Sequence, residues 1–148
     1  MQSTGSTMND IRLLVRQIIE ESFIPKIYPG DQFSGVLTLL HNKESSPNMG
    51  SRFGQDVEPA GYYAIVSQNP FLATLPNYEE VNAHIQNPLI IDVSADLIQW
   101  KRDLAMQYKA KKSGLTRKLL QAGYDSIITT DASGETGEII ILDTNIIK

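Results

Sequence analysis

Apolar residues along this chain change rhythm several times. Ile11, Leu14, Val15, Ile18 and Ile19 recur at helical spacing. Asn9 or Asp10 can cap the first turn, and Pro25 ends the run. An amphipathic helix is therefore expected over 9–22, after a loose polar arm at 1–8. The chain divides into this arm and helix (1–24) and a domain (25–148). Short apolar runs follow. GVLTLLH (35–41) predicts the first core strand, with His41 at its end. YYAIV (62–66) is aromatic and branched, as strands favour. PLIIDVS (88–94) predicts a third strand, with Pro88 tolerable only at its start. NYEEVNAHI (77–85) predicts a short helix, capped by Asn77, with Glu79 and Glu80 in the first turn.

The second half is more regular. Ser94 is expected to cap a helix with Asp96 in its first turn and Leu97, Trp100, Leu104, Ala105 and Tyr108 on its apolar face. A further helix is expected over 115–122, with Gly123 ending it. DSIIT and EIIILD then flank the turn DASGETG. The last run lacks polar alternation over 139–142, so its strand should be central or covered on both faces. Between the first two strands, RFGQDVEPAG (52–61) carries two glycines that permit tight turns. The order predicts an α+β fold.

Composition narrows the chemistry. The chain has 148 residues, enough for one domain with a genuine core. It has no cysteine, which excludes disulfides, thiolate nucleophiles and Cys-based zinc sites. Its two histidines have no spacing that suggests a metal, so none is expected. A net charge of −4 gives no general attraction to nucleic acid or anionic lipid. Lys101, Arg102, Lys109, Lys111 and Lys112 form a mild basic cluster, read as a solvated helix end. No apolar run is long enough to span a bilayer, and MQSTGSTMND is no signal peptide. A cytoplasmic setting without membrane contact is expected; packaging in a virion or delivery by a secretion system stays open. MGSRFG lacks the lysine and hydroxyl of a P-loop.

GYDSII, the glycine turn, EIIILD and the terminal NIIK together resemble the C-terminal signature of small ADP-ribosyltransferase-like domains. These occur in phage polyvalent proteins and related bacterial toxins. IQNPLIIDV (85–93) and Trp100 resemble the middle strand and helix of that family. The resemblance covers roughly 35–148 and implies a split-sheet fold with NAD, as substrate, between two small sheets. It also implies a His-Tyr-Glu set. LLH ends at His41, although Asn42 stands where the family commonly has glycine; GYYA makes Tyr63 the nearest match, with Tyr62 as fallback; the strand-opening acid is Glu138.

In that setting His41 would hydrogen-bond a ribose hydroxyl and Tyr63 would stack on nicotinamide. Glu138 would stabilise the oxocarbenium-like state of the ribose. Arg52 could meet the pyrophosphate, or instead bridge Asp56 or Glu58. The acceptor would be a protein or nucleic-acid nucleophile. From the residues alone, Glu138 reads first as a surface acid, while His41 reads equally as a strand-end histidine and both tyrosines as packing. A second acid two residues before Glu138, used by some arginine-modifying transferases, is absent, since Thr136 stands there. Glu135 and Asp131 read as turn residues. The alternative function is a catalytically inactive structural or interaction module of a phage, with the N-terminal helix as docking element for a protein partner.

Overall fold

A computed structural model describes residues 24–43, 54–67 and 74–148. The expected N-terminal helix and its docking role, and Arg52, lie outside these residues. The described strands are β1 (Gly35–Asn42), β2 (Tyr62–Val66), β3 (Tyr78–Ile85), β4 (Pro88–Asp92), β5 (Ser126–Thr130) and β6 (Thr136–Ile141). They form one mixed sheet in the order β3-β1-β2-β6-β5-β4. Every neighbouring pair is antiparallel except β4–β5. The join between β1 and β2 is short, at Leu39↔Val66 and Leu40↔Ile65. Helices α1 (Gln99–Tyr108) and α2 (Lys112–Gln121) connect β4 to β5, as a parallel pair requires. The architecture is mixed α+β.

The sheet carries a core on each face. On one face Leu37, Leu39, Ala64, Val66, Ile139 and Ile141 pack with Ile27 and Ile85. On the other, Trp100 and Leu104 of α1 and Leu115 and Leu119 of α2 cover Ile127, Ile140 and Leu142. β6 is therefore central and buried on both faces, as its unbroken apolar run predicts. It begins at Thr136, however, so Glu138 lies inside the strand rather than at its mouth.

Three local expectations are corrected. Residues 77–85 are not a helix: Tyr78–Ile85 is a strand paired with β1 along its whole length. Val81, Ala83 and Ile85 turn inward at period two, and this alternation outweighs the helix-like start at Asn77, Glu79 and Glu80. His84 is exposed on that strand. Ser94 does not cap α1. Its hydroxyl donates to Asp92 at 2.6 Å and accepts the Ala132 N–H at 3.0 Å. Asp96 instead accepts the N–H groups of Ile98 (2.8 Å) and Gln99 (3.0 Å), and these bonds hold its carboxyl below the usual range. Leu97, placed on the apolar face by its spacing, is 73% exposed, because it precedes the helix. Gly123, at φ +100, ends α2 as expected.

Candidate active site

Tyr62 and Tyr63 are neighbours on β2 and therefore serve opposite faces of the sheet. Tyr62 pairs with Ile141 and packs on the first core; Tyr63 pairs with Ile140 and packs on the second. Each tyrosine gathers its own set of polar partners.

On Tyr62's side, the His41 ring stacks on the phenol with centroids 3.9 Å apart. His41 Nδ1 lies 2.6 Å from the Tyr63 carbonyl oxygen. A carbonyl only accepts, so Nδ1 carries the proton in this contact. The Tyr62 hydroxyl donates to Glu79 Oε1 at 2.7 Å. Burial, then the bond to Glu79 and its charge, push the Tyr62 phenol well above its ordinary value.

On Tyr63's side the phenol is more deeply covered, and its hydroxyl donates to the Pro59 carbonyl. Burial foremost, with the charges of Glu58 and Glu138, pushes this phenol up further. Beside it lies Lys101, which is only 8% exposed. Its ammonium meets Glu58 Oε2 at 2.6 Å and Glu138 Oε1 at 3.4 Å, and stands 5.8 Å from the Tyr63 ring centroid. Burial raises the Glu138 carboxyl above its ordinary range; Lys101 pulls it back, and Glu58 adds to the rise. The Glu138 side chain stays 41% exposed, against 10% for Lys101 and 19% for Glu58. Glu138 is thus the open member of the cluster.

Residues 54–61 build this pocket from the side. Gly54 has φ +74, and a Cβ there would stand 3.1 Å from Lys101 Cδ, so glycine is needed for both the turn and the approach. The Val57 and Glu58 N–H groups donate to the Gly54 carbonyl. The segment is tied to α2: the Thr116 hydroxyl donates to Ala60 O at 2.6 Å, and Lys112 Nζ donates to Gln55 O. Gly61 then runs so close to β6 that a Cβ would lie 2.8 Å from the Ile141 carbonyl oxygen. This brings Tyr62 and Tyr63 into the centre of the sheet.

The expected site residues are thus brought to one level of the sheet and divided between its faces. The strands of His41, the tyrosines and Glu138 lie side by side as β1-β2-β6. Extending the β1–β2 register by one residue sets His41 opposite Ala64, which pairs with Ile139, next to Glu138. Tyr63 and Glu138 share the helix-covered face. His41 joins Tyr62 on the other. Asp56 and Glu58, the alternative partners considered for Arg52, meet Arg102 at 3.8 Å and Lys101. Glu135 pairs with Lys26 at 3.6 Å, and Asp131 accepts from Ser133 and Glu135 in the turn, as their reading as turn residues predicts.

Lys101 and Glu58 were missed. The sequence placed Lys101 in a solvated basic cluster; burial and ion pairing correct this. A signal existed, since 101 shares the helical stripe of 100, 104 and 108 that faces a core.

A groove of about 350 Å³ lies between α1 and β4, floored by Leu89, Ile91, Leu104 and Tyr124 and rimmed by Asp92, Asp96 and Asp103. Neither His41 nor Glu138 lines it, and its acidic rim would repel a pyrophosphate. Among the described residues no cluster of three His, Asp or Glu could hold a metal ion, and no helix is long and apolar enough to cross a membrane. Compared with known proteins, the chain matches no family model, no curated protein and no solved structure.

Proposed function

We propose that this protein transfers ADP-ribose from NAD to a nucleophile, with Glu138 as the charge-stabilising acid. The observation that carries the reading is the pairing of β2 with β6, which sets Tyr63 on the same face as Glu138, the exposed member of its cluster. In the reaction the bond between ribose C1 and the nicotinamide nitrogen breaks. Its electron pair leaves with neutral nicotinamide, so no acid is needed for departure. The ribose gains oxocarbenium character, which an ionised carboxylate stabilises. The acceptor's lone pair then bonds C1, and its proton passes to solvent; with water as acceptor the outcome is NAD hydrolysis. Glu138 is the exposed member of its cluster, so the ribose meets it first. Tyr63 forms the wall behind it, and His41 braces β2 through the Tyr63 carbonyl.

The second reading, an inactive module of the same fold, draws on a specific observation. Glu138, Tyr63 and His41 each already have a partner within the protein. Incubating the purified protein with NAD and following nicotinamide release separates the two. The catalytic reading expects release that Glu138→Gln lowers by about 100-fold or more, the scale of losing one charge-stabilising group. No release above the buffer rate, with no NAD binding, leaves the inactive module. A cytoplasmic site of action belongs to the same proposal.

A further inference from the structure

We infer that Lys101 is the positioning residue for Glu138: it holds one carboxylate oxygen from inside and leaves the other open to a ligand. The inference deepens the catalytic reading above and rests on it.

The geometry is asymmetric. One buried cation serves two acids, at 2.6 Å to Glu58 and 3.4 Å to Glu138. Glu58 is the anchor. It comes from a segment tied to α2 by Thr116 and Lys112, so its position is set by backbone. The Lys101 stem packs closely on Gly54 and is almost wholly buried, and its ammonium stands 5.7 Å from the Trp100 ring centroid. A cation held this way meets Glu138 Oε1 from inside, while the side chain remains 41% exposed. Anchored ammonium and exposed acid form the arrangement a substrate-facing carboxylate needs: fixed on one side and free on the other.

The charged groups acting on Glu138 are Lys101 on α1 and Glu58 on the 54–61 segment; Tyr63 on β2 shares its face. Only Lys101 among them favours the ionised form. Removing its charge leaves Glu58 and burial acting together against ionisation. Replacing Glu58 by an amide does the reverse.

The test titrates the Glu138 carboxyl by carbon NMR in the full chain, assigned by its loss in Glu138→Gln, in wild type, Lys101→Met, Lys101→Arg and Glu58→Gln. Lys101→Met is expected to move the Glu138 midpoint up by about one pH unit, tenfold in proton affinity, and Lys101→Arg to restore it. Glu58→Gln is expected to move it down, and Lys101→Gln takes the place of Lys101→Met if the latter does not fold. An unmoved midpoint in Lys101→Met, or in Glu58→Gln, overturns the inference. In the NAD assay, the acid limb of the pH profile for nicotinamide release should follow the same shifts. Absence of release from wild type would defeat the catalytic reading alone, because the titration still decides what Lys101 does to Glu138.

Discussion

Tyr62 and Tyr63 are adjacent on one strand and live in different chemical worlds. Tyr62 lies among neighbours from two other strands: His41 from β1 and Glu79 from β3, joined by a ring stack and a neutral-to-acid hydrogen bond. Tyr63 faces a cluster of three charges under a helix. A β-strand turns consecutive residues to opposite faces, so one step along the chain moves a phenol from a strand-to-strand brace to an electrostatic pocket. Residue type alone did not decide which tyrosine belongs with the acid. The register of β2 against β6 did, since Tyr63 pairs with Ile140 on the face of Glu138.

Substitutions on the two sides should differ in size. The largest effect is expected from Lys101→Met, which strands Glu58 and Glu138 without their cation. Removing one partner of a buried ion pair costs about 3–5 kcal/mol, read as a lowered midpoint in urea or heat. Next comes Tyr63→Phe, which leaves the Pro59 carbonyl without its donor and should cost about 1–2 kcal/mol. Tyr62→Phe should cost less, about 1 kcal/mol, since Glu79 keeps access to water. If Tyr62→Phe destabilises more than Tyr63→Phe, the contrast between the faces is misjudged.

The smallest stability effect is expected from Glu138→Gln, within about 1 kcal/mol, because the acid is partly exposed and Lys101 keeps Glu58. Its pH dependence has a definite sign. Folding raises the Glu138 carboxyl above its ordinary value, so the folded state holds that proton more tightly than the unfolded chain does. The contribution of Glu138 to stability is therefore greatest at low pH. It falls as pH rises from the ordinary carboxylate value through the raised one. In Glu138→Gln this fall should vanish from the stability-versus-pH curve.

Much of the scaffold is legible in the sequence. The run over 139–142 announced a strand central or covered on both faces, and β6 is both, with Glu138 on the face of Ile140 and Leu142. β3 was misread because Asn77, Glu79 and Glu80 imitate a helix start, while only Val81, Ala83 and Ile85 turn inward; pairing with β1 decided the outcome. The faces of His41 and Glu138 were not legible, since each depends on the register between strands distant in sequence. Lys101 was the hardest. A lysine reads as solvated unless its acids are known, and Glu58 lies 43 residues away.

The most direct test of the account is nicotinamide release from NAD by wild type, Glu138→Gln and Tyr62→Phe, all verified as folded. The account predicts release by wild type, a loss of about 100-fold in Glu138→Gln, and a rate within about threefold of wild type in Tyr62→Phe. Equal rates in wild type and Glu138→Gln, or no release by wild type at all, would contradict it.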